Sequence, residues 1–527
     1  MRRSTVWLGV LLGGLTSLPV MALLYLGEQL ASLPFVPFDL FDWLARVLPG
    51  GVVTAGIDAL VHGITALNLG ATSVVAKRIE QASAVLLFVI GGAALGALMA
   101  LLLRRRTWSA REVGAIGGFV ALFLIVALEF GRGWHPAVGT VLALALLIVG
   151  WGVVLGVGLG GTLGWAPPTA TDAGQVSRRA LLRLVGGSLL MTLGAWGLAR
   201  LLAARDQATG AGQPLAQQAP EIPTVPARTG VPPAPGTRAE VTPNAAFYRI
   251  DINTRPPRVD GGTWTLAVAG LFDKGHPLSL ADLVAYPAVT QPITLSCISN
   301  QIGGDLISTS YWTGVRLADL LQNLGLHPNA KALAIQAADG FYESVTLEDM
   351  RDPRTLLVYG MNGQTLPIEH GYPLRIYIPN RYGMKQPKWI TRIEAIDHAG
   401  PGYWVDRGWS QEARPQVLAI IDRVAQEQAA DGRVPIGGIA WAGDRGIRKV
   451  EVQVDGDAWN EAHLLTPPLG PLTWVLWRYD WPMIAGSHTF RVRATDGTGM
   501  LQIEQPAEPH PNGATGYHAI TVSFTTR

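Results

Sequence analysis

Cys297 is the only cysteine among the 527 residues, and its surroundings are typical of a side chain that does chemistry. It follows an apolar, strand-like run at residues 292–296 and opens a polar loop that contains two glycines. A strand that ends in such a loop can deliver a side chain to a pocket. The alternative is structural, because a lone cysteine is often a small buried hydrophobic residue.

Three chemical roles are open to this thiol. A nucleophile needs a base, and no local arrangement of His or Asp names one. A redox thiol needs a partner, and the chain offers no second cysteine for a disulfide. A thiolate is also a soft ligand for a redox metal, and one protein ligand is sufficient when a cofactor supplies the others. The residue types alone do not choose among these roles.

The elements that must position Cys297 belong to a chain with two different parts. The first two fifths are strongly apolar and contain five runs of about 20 residues, the length that crosses a bilayer. These candidate spans lie at residues 6–26, 82–103, 113–130, 137–159 and 181–204. The sequence therefore predicts an α-helical membrane bundle over residues 1–204, followed by soluble domains.

A weaker apolar segment at residues 50–76 carries Asp58 and His62 and is either a sixth span or a helix at the membrane interface. The positive charges favour the interface. With five spans, the arginine clusters near residues 2–3, 104–106 and 178–183 all fall on one side, as the positive-inside rule requires. The N-terminus would then be cytoplasmic, and the chain after about residue 205 would lie outside.

Two motifs in the apolar part have competing interpretations. Gly156, Gly158 and Gly161 match the dinucleotide-binding pattern G-x-G-x-x-G, but they end a candidate span and follow no strand, so helix packing is the better interpretation. Arg178 and Arg179 precede the fifth span, where they are either a cytoplasmic flank or a twin-arginine export signal. Such a signal would export the following domain already folded.

The rest of the chain divides into three predicted segments. Residues 205–241, rich in Pro, Ala, Gly and Gln, predict a semi-extended linker. Residues 242–411 mix short strands with helical patterns such as 317–324, and Asn362-Gly363 predicts a β-hairpin, so this domain is α+β. In residues 412–527 the pattern predicts strands alone, and Asp455-Gly456 turns an alternating run at 449–454 into a further strand at 458–465. This part of the chain predicts an immunoglobulin-like β-sandwich.

Composition excludes several function classes. The net charge is only +2 and there is no basic stripe with interleaved aromatic residues, so nothing supports nucleic-acid binding. One cysteine excludes cysteine-rich zinc sites. The candidate spans are nearly free of ionisable residues and have no mid-span histidine, which argues against an ion pathway or a haem within the bundle. The apolar part is predicted to be an anchor or docking surface.

Residues 241–527 resemble the sulfite oxidase and methionine-sulfoxide-reductase-like molybdopterin oxidoreductases. Several blocks in the right order are far more specific than any single motif. The blocks are Thr294-Leu295-Ser296-Cys297-x-x-Asn300, Trp312-Thr313-Gly314-Val315-x-Leu317, Met361-Asn362-Gly363-x-x-Leu366-Pro367-x-x-His370-Gly371-Tyr372-Pro373-Leu374-Arg375 and Asn380-Arg381-Tyr382-Gly383-Met384-Lys385-x-Pro387-Lys388-Trp389. The resemblance implies a sulfite-oxidase-like fold for residues 242–411 and a molybdenum-molybdopterin cofactor.

The resemblance also implies roles for individual residues. Cys297 would bind molybdenum as a thiolate, beside the two dithiolene sulfurs of the pterin. Trp409 stands where the family has a tyrosine near the metal, and it is the second catalytic candidate. The remaining candidates would hold the pterin and its phosphate: Tyr248, Arg249, Asn300, His370, Arg375, Gly383, Met384, Lys385 and Lys388.

One departure from the family bears on the substrate. Sulfite oxidases surround the metal with arginines that bind an anion, whereas the loop after Cys297 continues with the uncharged Gln301, Ile302, Gly303 and Gly304. This difference, together with Trp409, argues against sulfite as the substrate.

We therefore expect a multi-pass membrane enzyme with its catalytic domain on the outer face, performing a two-electron reaction, by oxygen-atom transfer, on a small substrate. No haem-attachment or flavin motif is found, so a separate electron-transfer partner is expected. The β-sandwich domain in this family often mediates dimers, and a homodimer is compatible with it. The alternative is a cofactor-free, membrane-anchored binding or sensor protein on the same fold.

Overall fold

The computed structural model describes residues 2–104, 108–132, 136–162, 178–205, 211–215, 231–425 and 432–525, together with residues 222, 224 and 227. The chain forms two compact units. The first comprises Met1–Leu48, Lys77–Ala208 and Asn253–Arg255, and the second comprises Pro49–Ala76, Thr209–Ile252 and Pro256–Arg527. The second unit is called the catalytic unit below because it contains Cys297.

The apolar part of the chain is helical. Its helices are α1 (Arg2–Ala31), α2 (Val36–Val47), α3 (Gly50–Ala66), α4 (Thr72–Arg104), α5 (Ala110–Gly131), α6 (Val138–Thr162) and α7 (Arg178–Arg205). Among the described residues, five helices are long and apolar enough to span a membrane, in agreement with the five predicted spans. A sixth would be counted only if α2 and α3, which meet at a bend of 118°, formed one broken span.

Glycines let the helices of the first unit approach closely. A Cβ added at Gly13 of α1 would lie 2.1 Å from the carbonyl oxygen of Gly92 in α4. A Cβ at Gly156 of α6 would lie 2.4 Å from the carbonyl oxygen of Ala110 in α5. Small residues of this kind are typical of packed membrane helices. Gly156 therefore has a packing role, and the G-x-G-x-x-G pattern lies inside α6, with no strand among the described residues that precede it.

The charge clusters used to orient the spans are only partly described. Arg104 ends α4, and Arg178 and Arg179 begin α7. Arg105 and Arg106 lie outside the described residues. The orientation and the export signal therefore stay predictions.

The part of the catalytic unit that carries Cys297 contains one mixed sheet, in which β1 and β10 are parallel, and one antiparallel sheet. One has the strand order β2-β1-β10-β5-β6 and the other β3-β4-β7-β8, with β9 paired to β7. The strands are β1 (Thr265–Gly270), β2 (Leu278–Ser279), β3 (Ala288–Ser296), β4 (Ile307–Arg316), β5 (Ala332–Ala337), β6 (Tyr342–Thr346), β7 (Leu356–Met361), β8 (Gln364–Thr365), β9 (Arg375–Tyr377) and β10 (Ile390–Ile396). The short helices are α8 (Leu280–Val284), α9 (Leu317–Leu324) and α10 (Leu347–Arg351).

Local sequence explains the elements near the site. β3 contains Pro292, which has no N–H to donate, and β3 lies at the edge of its sheet, where proline is tolerated. The leucines of α9 at positions 317, 320, 321 and 324 are buried with helical spacing, and Gly325 ends the helix at φ +68°. The predicted hairpin at Asn362-Gly363 joins β7 to β8. The α+β prediction is confirmed for this part of the chain.

The C-terminal part consists of two four-stranded antiparallel sheets, ordered β11-β12-β16-β15 and β14-β13-β17-β18. The strands are β11 (Leu418–Val424), β12 (Arg433–Trp441), β13 (Ile447–Val454), β14 (Asn460–Glu461), β15 (His463–Leu464), β16 (Val475–Pro482), β17 (Gly486–Asp496) and β18 (His518–Phe524). Valines of β13 and tryptophans of β16 share one core between the sheets. The single strand predicted at 458–465 is instead two short strands in different sheets, and the immunoglobulin type stays a prediction.

Parts of the predicted linker are held against the catalytic unit. The N–H of Leu215 donates to the carbonyl of Gly363 at 3.1 Å. Arg238 forms an ion pair of 2.5 Å with Asp422. Most of the residues between 206 and 230 lie outside the described residues. Leu215 and Arg238 are thus bound to the catalytic unit, and the linker itself stays a prediction.

Candidate active site

The site is built on the loop that connects β3 to β4. β3 ends at Ser296, which pairs with Ile307 at the start of β4. The N–H of Cys297 donates to the carbonyl of Leu306 at 2.9 Å, so the two ends of the loop are joined. Asn300 closes it further, because its Oδ1 accepts from the N–H of Leu306 at 2.9 Å. A ten-residue loop with its ends fixed in this way holds Cys297 rigidly.

Cys297 itself is buried, and 9% of it is exposed. Its Sγ lies 3.0 Å from the hydroxyl of Ser299. Burial raises the pKa of the thiol, and the contact with Ser299 partly opposes this effect. Without a cation the thiol is therefore neutral, whereas a bound metal ion would favour the thiolate.

Tyr248, Gly383 and Tyr382 surround the thiol. A Cβ added at Gly383 would lie 2.8 Å from the Tyr248 hydroxyl and 3.4 Å from the Ser296 carbonyl oxygen. Burial raises the pKa of Tyr248, and the charge of a Cys297 thiolate raises it further. The Tyr382 hydroxyl accepts from the N–H of Gln416 at 3.0 Å, and burial raises the pKa of Tyr382 to about 12. Glycine at 383 thus leaves space beside the Tyr248 hydroxyl and the end of β3 that a side chain would fill.

Two of the predicted cofactor-binding cations share one carboxylate. The side chain of Asp251 is fully buried and forms ion pairs with both Arg249 and Lys388. Lys388 also donates to the carbonyl oxygens of Ile250 at 3.2 Å and Glu369 at 3.1 Å. Burial lowers the pKa of Lys388 to about 8, although Asp251 opposes this effect. The group carries net positive charge, because two cations face one anion.

Arg375 and His370 lie beside this group. The Arg375 guanidinium is buried 4.7 Å from the centre of the Trp312 ring and donates to the His370 carbonyl at 3.1 Å. Burial lowers the pKa of Arg375 to about 10. His370 lies 3.0 Å from the carbonyl oxygen of Asn244, and burial, followed by the charge of Lys388, lowers its pKa to about 3. His370 is therefore a neutral hydrogen-bonding group at physiological pH.

Lys385 has a buried acidic partner that sequence reasoning missed. Its Nζ lies 2.9 Å from Glu343 Oε1, and the two side chains are 7% and 0% exposed. Burial raises the pKa of Glu343, while Lys385 lowers it. No motif links Glu343 in β6 to Lys385, because only the fold brings them together. Asp251 was more accessible to prediction, since it lies two residues after Arg249.

Met384 and Trp409 are less polar members of the predicted set. Both lie in a hydrophobic cluster with Ile298 and Tyr382, the neighbours of Cys297 in sequence and in space. The Trp409 ring packs edge-on against His510 at 5.0 Å. Trp409 also lines a cavity of about 540 Å³ with residues that include Gln416 and Asn512. The structure therefore brings Trp409 to the Cys297 side of the unit.

Several buried donors at the site have no partner among the described residues. These atoms are Arg249 Nη2, Arg375 Nε, Trp312 Nε1 and Trp409 Nε1. Each belongs to a group that can only donate a hydrogen bond. Beside Lys385, the acceptor Glu343 Oε2 also has no partner among the described residues. Buried polar groups are normally hydrogen-bonded, so the four orphaned donors indicate a ligand that offers acceptors.

Comparisons with known proteins identify the family. The family model described as "Oxidoreductase molybdopterin binding domain" matches residues 253–404. The uncharacterized oxidoreductase YuiH of Bacillus subtilis is 31% identical over 152 residues, which cover 29% of this chain and 75% of YuiH. The chain belongs to the molybdopterin-binding oxidoreductases. As a molybdopterin-binding oxidoreductase it is an enzyme, and the predicted family is confirmed.

Two further proteins are similar to this oxidoreductase over a longer part of its chain. Human mitochondrial sulfite oxidase is 28% identical over 310 residues, which cover 50% of this chain and 56% of the human enzyme. The chain thus spans little more than half the length of that curated relative. The crystal structure of the sulfane dehydrogenase SoxCD from Paracoccus pantotrophus aligns with a TM-score of 0.48 and 21% identity, covering 56% of this chain and 88% of the solved chain.

The residues of this oxidoreductase fit a molybdopterin cofactor. Cys297 offers one soft ligand at the end of β3. The orphaned donors of Arg249, Arg375 and Trp312 suit the acceptors of a pterin and a phosphate. The net positive charge around Asp251 suits an anion, and the space at Gly383 lies next to the Tyr248 hydroxyl and to the carbonyl of Ser296, the residue before Cys297.

Proposed function

We propose that this protein is a membrane-anchored molybdenum-molybdopterin oxidoreductase that carries out a two-electron reaction, by oxygen-atom transfer, on a small substrate outside the cytoplasmic membrane. The observation that carries the proposal is that the only thiol of the chain is buried in the same unit as buried donors that lack partners among the described residues. The charges of Cys297 and of Arg375, which carries one of these donors, both act on Tyr248. Such a reaction couples a substrate and water to an oxygenated product, two protons and two electrons, in either direction.

The residues of the chain have distinct parts in this proposal. Cys297 would hold the metal, and the bound cofactor would supply the redox change and the oxygen that is transferred. Arg249, Arg375 and Lys388 would bind the phosphate, and the neutral His370 would hydrogen-bond the pterin. Asn300 would position the loop that carries Cys297, since its side chain bonds to Leu306. Trp409 would exclude water on the substrate side.

The location and the partner follow from different observations. Five apolar helices are compatible with a membrane anchor, and the positive-inside rule supports an outer catalytic unit. The electrons would pass to or from a separate redox protein. An introduced cysteine at the exposed Asp457 tests the location, because a membrane-impermeant thiol reagent should label it in intact spheroplasts. Labelling only after lysis would contradict the outer location.

Metal and pterin analysis tests the chemistry. Purified full-length protein should contain about one molybdenum and one pterin per chain, and Cys297→Ser should lose most of the molybdenum. Ser299→Ala is the matched control, because it removes the neighbour of the thiol at 3.0 Å but keeps the ligand, and it should retain the metal. Protein without molybdenum, or a Cys297→Ser variant that retains all of it, would refute the assignment.

A further inference from the structure

We propose that helix α3 forms one wall of the entrance to the Cys297 site and that His62 on this helix selects the substrate. The inference rests on the function proposed above for Cys297, but it assigns a role to a segment of the apolar N-terminal part that the function does not use. Residues Pro49–Ala76 belong to the same compact unit as Cys297. Their contacts can therefore be followed within that unit.

Two contacts join this segment to the loop that begins at Cys297. Nε2 of His62 lies 3.0 Å from the side-chain amide nitrogen of Gln301, and the N–H of Thr72 donates to Asp305 Oδ2 at 2.9 Å. Nδ1 of His62 lies 2.8 Å from the carbonyl oxygen of Asp58. A proton on Nδ1 therefore leaves Nε2 as the acceptor for the Gln301 amide. The ring is thus oriented by its own helix toward the loop.

The same helix meets two other loops of the unit. Glu508 Oε2 lies 3.5 Å from His62 Nε2. A Cβ added at Gly50 would lie 2.8 Å from the Cα of Arg407, so the start of α3 lies directly against that turn. Three loops that are distant in sequence thus converge on one helix. Binding sites are commonly formed by loops gathered in this way on a rigid scaffold.

The Cys297 loop leads from the surface to the thiol. Cys297 and Asn300 are buried, Gln301 is half-buried, and Asp305 is exposed. Gln301 follows Cys297 by only four residues. His62 therefore contacts the loop where it passes from the protein interior to solvent, which is the position of an entrance.

The opposite wall is formed by Trp409 and the loop that carries Glu508. His510, two residues after Glu508, packs against the Trp409 ring at 5.0 Å. Trp409 is 5% exposed, lines the cavity of about 540 Å³, and its Nε1 has no partner among the described residues. The lining of this cavity also includes Glu412 and Arg414 but no residue of α3 or of the Cys297 loop, so the cavity lies on the Trp409 side of the entrance. Its volume suits a small molecule.

The charges at this entrance disfavour anions. Asp58 lies close enough to His62, Glu508 and His510 for their charges to act on it. Two carboxylates and two histidines thus lie near one another at α3, and the loop itself is uncharged from Gln301 to Gly304. The charges of Glu412 and Arg414, which line the cavity beside Trp409, oppose each other. Arg407 borders the helix, but its guanidinium stacks on the Tyr403 ring at 3.6 Å and donates to the Tyr403 carbonyl at 2.8 Å. The entrance should therefore favour neutral or cationic molecules over anions.

Cross-linking in the molybdenum-loaded, full-length protein tests the wall. We expect the double variant His62→Cys/Gln301→Cys to be joined in high yield by a short bifunctional thiol reagent. Gly63→Cys/Gln301→Cys is the matched control, because a side chain added at Gly63 meets nothing within 4 Å, and it should cross-link at least fivefold more slowly. Equal yields for the two pairs would overturn the proposed wall. This readout needs no turnover, so it stays interpretable if the proposed redox function fails.

The selection by charge has its own test at the same position. For the thiol introduced by His62→Cys, the reaction rate with a cationic methanethiosulfonate divided by the rate with an anionic one should be about tenfold higher than the same ratio for Gly63→Cys. Glu508→Gln should reduce this difference between the two positions. The effect should weaken in high salt, because Glu508 is exposed. Equal ratios at both positions would overturn the selection.

Steady-state kinetics distinguish selection from a structural role. With whichever of dimethyl sulfoxide and sulfite the holoenzyme turns over, His62→Ala should change KM about fivefold and kcat less than twofold, with unchanged molybdenum content. Loss of kcat at constant KM would contradict a role at the entrance.

Discussion

The structural role of Lys385 can be separated from its proposed cofactor-binding role by changing Lys385 together with Glu343. The pair is 2.9 Å apart with side chains 7% and 0% exposed, so Lys385→Met leaves a buried carboxylate without its cation. Removing one partner of a buried pair typically costs about 3 to 5 kcal/mol, whereas replacing both partners is often nearly neutral. Lys385→Met should therefore be strongly destabilised, and Lys385→Met/Glu343→Gln should regain most of the stability.

The magnitude can be expressed as a change in melting temperature. For a domain of this size, 1 kcal/mol corresponds to a shift of about 2 to 4 °C, so a loss of about 3 to 5 kcal/mol should lower the melting temperature of the single variant by about 6 to 20 °C. Differential scanning fluorimetry in detergent would follow the transition, and molybdenum analysis would follow the cofactor. We expect the double variant to melt within about 3 °C of the parent protein and still to lack most of the molybdenum.

Two outcomes would refute this reasoning. If Lys385→Met has the same melting temperature as the parent protein, other groups compensate the charge of the Glu343 carboxylate, and the pair is not important for stability. If the double variant regains both stability and molybdenum, Lys385 has no role in holding the cofactor. Arg381→Met is a useful control, because Arg381 belongs to the same sequence block but pairs with Asp349 at 3.0 Å. It should lower stability without a selective loss of molybdenum.

Two further predictions concern His370 and Gly383. The pKa of His370 is about 3 in the folded protein and about 6.5 in the unfolded chain, so only the unfolded chain binds this proton between the two values. The free energy of unfolding should therefore fall by about 2 kcal/mol from pH 6 to pH 4.5. Thermal unfolding of His370→Gln should depend less steeply on pH, and an unchanged slope would contradict the assignment. Gly383→Ala should lower the pterin content of the purified protein, because its Cβ would lie 2.8 Å from the Tyr248 hydroxyl. Adding Tyr248→Phe removes that hydroxyl and should restore part of the pterin content. A double variant with no more pterin than Gly383→Ala would contradict the steric explanation.

The sequence predicts the elements of this protein better than it predicts their contacts. The five apolar helices, the strand before Cys297, helix α9 and the hairpin at Asn362 were all predictable, because each depends on local pattern or turn chemistry. The predicted strand at 458–465 was wrong in detail, since it breaks at Ala462 into two short strands that pair with β13 in one sheet and with β16 in the other.

The candidate site was predictable only where residues lie in ordered blocks. Cys297, Arg375 and Lys388 belong to such blocks, and the structure places orphaned donors and a buried ion pair around them. Glu343 was missed because its partner lies 42 residues away with no shared motif. His62 was noticed only as a polar residue in an apolar segment, since its contact with Gln301 spans 239 residues.

The catalytic unit is discontinuous along the chain. Pro49–Ala76 belongs to it although the residues on both sides belong to the first unit, and Asn253–Arg255 belongs to the first unit although the residues on both sides belong to the catalytic unit. No single cleavage can release the catalytic unit with all of its parts. A soluble fragment that begins after α7 would lack the residues of α3 and would expose the Cys297 loop at Gln301 and Asp305. The same discontinuity constrains the order of folding. Residues 49–76 are synthesised before α4 to α7, so they can make their contacts with the Cys297 loop only after the rest of the catalytic unit has been synthesised.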